Sequence, residues 1–222
     1  MALRLGAMAL AAVALVAVVV AVAGPEDEQR DDSARGPSEA LRLLRGIPQD
    51  GIALGSPDAP VTMSEFADLQ CPYCREYHEQ VLPELIRRYV RPGRLRLELS
   101  LLRFIGPDSD RLARTAAGAA AQDRMWQVVG LAYERQGAEN SGYADDEFLN
   151  ALVEDAGLES VDAGVRADAL VMAAERRAER AGIDSTPSFL IGPTGGRLER
   201  FQPDSLTPEP FVARIEAELE ER

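Results

Sequence analysis

The stretch Val61-Thr62-Met63-Ser64-Glu65-Phe66-Ala67-Asp68-Leu69-Gln70-Cys71-Pro72-Tyr73-Cys74 decides how the rest of the chain is read. Val61 to Phe66 is apolar or β-branched enough for a strand. The period then changes, because Tyr73, Tyr77, Val81, Leu85 and Tyr89 recur at helical spacing. Pro83 is expected to kink that helix and Arg91-Pro92-Gly93 to end it. Leu95, Leu97, Leu99 and Leu101 next alternate with Arg96, Glu98 and Ser100, the pattern of a half-buried strand. Strand, helix and strand in that order open a parallel crossover unit. Cys71 therefore stands where a strand hands over to a helix, with Cys74 one turn inside.

That placement gives the two cysteines a chemistry. Unpaired N–H groups and the positive end of the helix dipole favour a thiolate at Cys71 and lower its pKa from about 8.5. Pro72 is tolerated at the first helical position, where its missing N–H would be unpaired anyway. A Cys71 thiolate can attack a disulfide, and Cys74 can resolve the mixed disulfide that results. As a mere staple, so short a loop would contribute only about 2 kcal/mol, against about 4.7 for a hundred-residue loop. A zinc site built on Cys71, Cys74 and His78 lacks a fourth ligand, since these are the chain's only cysteines and histidine. Arg75 directly after Cys74 excludes c-type haem attachment. A Ser-His-Asp hydrolase would have to use His78 with no G-x-S-x-G elbow anywhere in the sequence.

Composition narrows the field further. The 222-residue chain is 46% hydrophobic and 27% charged, the balance of one or two foldable units. Its 37 acidic residues outnumber 24 basic ones for a net charge of -13, which leaves no footprint for nucleic acid. Every base is arginine, so Schiff-base chemistry has no amine to use.

Working outward to the amino terminus, Leu5 to Ala23 carries no charge. As a helix it would span about 28 Å, close to a bilayer core. Ala21-Val22-Ala23 also fits a small-x-small cleavage site, so residues 1–23 read as a signal peptide cleaved near Ala23 or as a retained membrane anchor. Arg4 before the segment and Glu26, Asp27 and Glu28 after it orient both forms alike, with the remainder outside the cytoplasm, a disulfide-permissive compartment. Residues 24–46 read as a flexible linker. From about 107 to 182 the chain is alanine-rich and without strand signals, a helical insertion with Asp110, Asp145 and Ser160 as starts and Gly157 and Gly182 as stops. Ser188 to Ile191, a Gly-Pro-Thr-Gly-Gly turn and Arg197 to Phe201 predict a β-hairpin. Thr207-Pro208 can cap a last helix carrying Phe211, Ile215 and Leu219.

Taken together, Glu65-Phe66 closing a strand, Cys71-Pro72-Tyr73-Cys74 opening a kinked helix, the insertion, and Ser185-Thr186-Pro187-Ser188-Phe189 before a hairpin resemble the DsbA-like thiol-disulfide oxidoreductases of the thioredoxin superfamily, over about residues 47–222. The resemblance implies an α/β thioredoxin-like fold, a central mixed sheet flanked by helices. It implies that Pro187 is a cis-proline whose loop faces the cysteines and pairs substrate backbone, with Thr186 tuning the thiol and substrate choice. Glu65 holds the position where the superfamily often keeps a buried acid; it reads either as proton acceptor for Cys74 or as a solvent-facing strand residue. Tyr73 occupies the place that several relatives give to histidine, a pattern shared with glutaredoxins, which are typically reducing. His78 reads as an ordinary packed or surface histidine or as a tuner of the pair. Tyr73, Tyr77 and Tyr89 could line a peptide groove or belong to the core. No cofactor is implied beyond the Cys71–Cys74 disulfide. The implied partners are cysteine-containing or unfolded exported proteins, a membrane redox protein that resets the pair, and the membrane itself if residues 5–23 are retained. Three activities stay open: disulfide donor or isomerase, reductase using the same residues, and a non-catalytic binding module or chaperone.

Overall fold

Seven consecutive buried residues, Val61–Ala67, form the strand at the centre of the sheet in the computed structural model, which describes residues 38–221. The apolar segment at 5–23 and linker residues 24–37 lie outside the described residues. The six-stranded sheet has the order β1-β2-β4-β3-β5-β6. Its strands are β1 (Gln49–Asp50), β2 (Ala53–Leu54), β3 (Val61–Ala67), β4 (Leu95–Leu101), β5 (Ser188–Pro193) and β6 (Glu199–Phe201). β3 runs parallel to β4, with Glu65 opposite Leu99, and antiparallel to β5, with Glu65 opposite Phe189. The sheet is therefore mixed, with a parallel crossover at its centre.

Period-two alternation along β3 sorts its side chains between two covered faces. On one face Phe66 packs with Leu102 and with Ala174 and Ala178 of α7 (Val165–Ala181). The other face carries Met63, Glu65 and Ala67. It lies under α2 (Pro72–Gln80) and α8 (Pro208–Glu220), where Tyr77, Phe189 and Phe211 meet with ring centroids 4.8–5.3 Å apart. Tyr77 and Tyr89 are fully buried, so of the three tyrosines only Tyr73 reaches solvent.

The helix opened by Pro72 breaks at Val81, continues as α3 (Leu82–Leu85) and ends in a π-helical turn, Ile86–Val90. The cause is Pro83, which has no N–H to return to the preceding turn and whose ring crowds it. The insertion comprises α4 (Pro107–Ala120), α5 (Met125–Glu134), α6 (Asp146–Asp155) and α7. Asp145 caps α6, its Oδ1 accepting the Phe148 N–H at 2.9 Å. Gly182 ends α7 in the left-handed conformation, with φ +65°. Two expected starts are corrected. Asp110 sits inside the first turn of α4, bonded to Arg103 and Arg114, and Ser160 starts nothing, because α7 begins after Gly164. Thr207 does stand at the N-cap of α8, but its side chain makes no capping bond.

The end of the expected linker is also structured. Ser38 caps α1 (Glu39–Leu44), its Oγ accepting the Leu41 N–H at 3.1 Å, and Leu44 is buried. The Ala40 N–H donates to Glu134 Oε1 at 2.7 Å. Gly130 of α5 makes this approach possible, since a Cβ there would lie 2.6 Å from the Ala40 Cβ. Residues 38–46 thus belong to the domain rather than to a tether. Among the described residues no helix is long and apolar enough to cross a membrane.

Candidate active site

The β3-to-α2 junction places Cys71 at the N-cap of α2 in an extended conformation, with Pro72 at the first helical position. Both cysteines are free thiols and buried, Cys74 completely. The Cys71 thiol is lowered to about 6, first by a hydrogen bond from the Cys74 side chain and then by the Thr186 side chain and the backbone N–H groups of Cys74 and Tyr73, against burial, which raises it. The helix-start N–H groups anticipated from the sequence therefore contribute less than the partner cysteine does. Cys74 is pushed well above the ordinary thiol value, first by burial and then by its bond to Cys71 and the charges of Cys71 and Glu65. The pair is thus asymmetric: a reactive thiolate at the surface end and a protonated thiol beneath it.

The Thr186–Pro187 peptide bond is cis. Cys71 Sγ lies 3.4 Å from the Thr186 carbonyl oxygen, across 115 residues of sequence. Tyr73 is 62% exposed on the lip beside Cys71. Cys71, Tyr73, Thr186 and Pro187 accordingly share one open edge of the molecule.

Glu65 lies on the inner side of the pair and is 3% exposed, so the solvent-facing alternative does not hold. Its two carboxylate oxygens stand 3.2 and 3.1 Å from His78 Nε2. His78 is itself buried, packed against Tyr133 with ring centroids 4.4 Å apart and against Trp126 at 6.4 Å. A buried carboxylate is costly unless hydrogen-bonded, and the imidazole supplies that bond. With His78 committed to Glu65, a zinc site shared with the cysteines loses its third ligand. Among the described residues no group of three or more His, Cys, Asp or Glu is arranged to hold a metal ion.

Sequence reasoning passed over the residues that hold the loop before Cys71. Asp68 is fully buried. Its Oδ1 accepts from the Gln70 N–H at 2.8 Å and Ser109 Oγ at 2.6 Å, and its Oδ2 accepts from the N–H groups of Phe104 and Ile105 at 2.8 and 3.0 Å. Gln70 Nε2 donates to Ser109 Oγ at 2.9 Å, and Gln136 Nε2 donates to the carbonyls of Leu69 and Cys71 at 2.9 and 3.2 Å. The helical insertion thereby fixes the approach to Cys71. The signal available in the sequence was an acid three residues before the first cysteine, flanked by the apolar Phe66, Ala67 and Leu69.

Fold and site together define a thioredoxin-type dithiol centre, and the family model described as Thioredoxin matches residues 48–213. The chain belongs to the thioredoxin family. Among curated proteins, the probable disulfide bond formation protein D of Bacillus anthracis is 36% identical over 107 residues, 46% of this chain and 48% of that protein. Disulfide bond formation protein D of Bacillus subtilis is 29% identical over 112 residues, 49% of this chain and 46% of that protein. The chain thus spans about half the length of the curated relatives it matches. Among solved structures, oxidised BdbD of Bacillus subtilis superposes with a TM-score of 0.62 at 18% identity, covering 78% of this chain and 97% of that one. For alpha-DsbA1 of Wolbachia pipientis the TM-score is 0.63 at 19% identity, with 82% and 96% covered. These likenesses establish the fold.

Proposed function

We propose that this protein is an extracytoplasmic thiol-disulfide oxidoreductase that donates its Cys71–Cys74 disulfide to exported proteins or reshuffles theirs. The observation that carries the reading is the asymmetric pair, a Cys71 thiol lowered to about 6 above a buried, protonated Cys74. A substrate thiolate attacks Cys71 Sγ, the Cys71–Cys74 bond breaks, and Cys74 leaves with the electron pair and takes up a proton from Glu65. A second substrate thiolate then attacks its own mixed-disulfide sulfur and displaces Cys71 as a stable thiolate. The substrate loses two electrons and two thiol protons, and the cysteine pair ends reduced. Stabilising the Cys71 thiolate stabilises the reduced pair, which makes the disulfide the stronger oxidant.

In this reading the Thr186–Pro187 loop pairs substrate backbone beside Cys71, Thr186 tunes the thiol, and exposed Tyr73 offers an apolar contact to the incoming chain. The curated relatives' names, disulfide bond formation protein D, support the donor direction. Leu5 to Ala23 exports the domain, as an anchor or as a signal removed near Ala23, and a membrane redox protein resets the pair. The test is oxidation of a reduced, unfolded disulfide protein by the oxidised full chain. We expect one substrate disulfide formed per protein consumed, and none with Cys71→Ser. A Cys71→Ser/Cys74→Ser double variant that retains activity would make the protein a binding module instead.

A further inference from the structure

We infer that His78 relays protons between Glu65 and solvent in a pocket beneath α1, so that the proton needed at Cys74 travels through the rear of the molecule rather than past bound substrate. The inference rests on the exchange reading of Cys71 and Cys74 and adds the route by which the buried member of the pair is protonated.

Cys74 is fully buried and Glu65 nearly so, which leaves neither able to exchange protons with bulk water directly. The edge carrying Cys71, Tyr73 and Pro187 is the one a substrate would cover. The polar atom bonded to Glu65 is His78 Nε2, placed almost evenly between the two carboxylate oxygens at 3.2 and 3.1 Å. His78 also lines a pocket of about 370 Å³ between α1, α2 and α5. That volume is far larger than one water requires, and within a mainly apolar lining His78 and the carboxylates of Glu39, Glu79 and Glu134 supply the polar partners a water needs.

The titratable groups around His78 are Glu65 from β3, Cys74 and Tyr77 on its own helix and Tyr133 from α5, with Glu39, Glu79 and Glu134 lining the pocket. Glu134 is engaged by the Ala40 N–H. Glu79 is paired with Arg75 at 3.7 Å, but among the described residues no arginine lines the pocket itself, so the rim carboxylates favour an imidazolium in transit. Tyr133 is held neutral chiefly by burial, and its hydroxyl is spent on the Asp68 carbonyl at 3.2 Å. It therefore does not compete as a carrier. When a substrate opens the disulfide, Glu65 gives its proton to the departing Cys74 thiolate. The other ring nitrogen of His78 takes a proton from pocket water, and the imidazolium so formed returns one to Glu65 through Nε2–H. Resolution of a mixed disulfide by Cys74 runs the same transfers backward. His78 acts through Glu65 and does not touch the substrate.

Mixing the reduced full chain with excess dithiobis-nitrobenzoate in a stopped-flow instrument separates the steps. The first thionitrobenzoate is released when Cys71 attacks, and the second when Cys74 attacks Cys71 Sγ and resolves the adduct. His78→Gln keeps an amide within reach of Glu65 but cannot pass a proton on. It is expected to leave the first phase unchanged and slow the second about tenfold at neutral pH, less than the 10²–10⁴ of a direct acid–base group. His78→Ala opens space contiguous with the pocket, and added imidazole should restore its second phase with a pH profile that follows the added base. Leu43→Trp, which plugs the pocket and leaves His78 in place, should slow the second phase as well. A wild-type second phase in both His78→Gln and Leu43→Trp overturns the relay, as does a slow His78→Ala that imidazole does not restore. Absence of the first phase in the unaltered protein would instead overturn the exchange reading itself.

Discussion

At Cys71 the thiolate is held mainly by the neighbouring thiol and only secondarily by the N–H groups of the helix start. Alkylation of Cys71 by iodoacetamide should rise with a midpoint near pH 6 rather than at the ordinary 9.0. In Cys74→Ala that midpoint should move up, because the largest stabilising hydrogen bond is gone while the helix start is unchanged. The same lowering has a stability consequence whose sign follows from linkage. A thiol whose folded pKa lies below its unfolded value stabilises the folded reduced protein fully above pH 9.0, less as the pH falls, and not at all below about 6. The melting temperature of reduced wild type relative to reduced Cys71→Ala should therefore fall through this window in a calorimetric pH series. Cys71, Cys74 and Pro187 were legible in the sequence because each belongs to a short local motif. The Glu65–His78 bond was not, because it needs the rotational phase of α2 over β3, which no spacing of thirteen residues specifies.

At the scale of elements, the strands with long periodic patterns were legible and the short ones were not. Leu95, Leu97, Leu99 and Leu101 announce β4, whereas β1 and β2 are two residues each and are held by pairing to one another and to β4 rather than by any pattern of their own. The helix α1 hid in a charged, turn-rich stretch, since one buried leucine and one Ser cap carry little signal. Its docking depends on Gly130. Alanine at a helix interior normally gains about 1 kcal/mol over glycine. Gly130→Ala is nonetheless expected to loosen α1, because its Cβ would meet Ala40. Faster tryptic cleavage at Arg42 and Arg45 would show it, and unchanged cleavage would contradict it. Arg103 at the end of β4 ties the insertion to the sheet, with Nε and Nη2 on the Glu175 carboxylate at 2.8 Å each and Nη1 on Asp110 and Asp168 at 2.8 and 3.1 Å. Arg103→Met should cost about 2 kcal/mol in urea unfolding, the range for bonds to charged groups. A change under a few tenths would mean that solvent replaces those bonds.

For the whole molecule, the sheet presents the thiolate and the Thr186–Pro187 loop on one edge, while Glu65, His78 and the pocket under α1 lie behind. The insertion, through Asp68, Gln70 and Gln136, fixes the loop that feeds Cys71. On the proposed function, this arrangement stabilises the reduced pair and so makes Cys71–Cys74 a disulfide donor. Its most direct test is the reduction potential of the full chain, equilibrated against glutathione buffers and followed by thiol alkylation. We expect a value on the oxidising side, above about -180 mV and toward the roughly -120 mV of strong donors. A value near about -270 mV would contradict it and make the same residues a reductase.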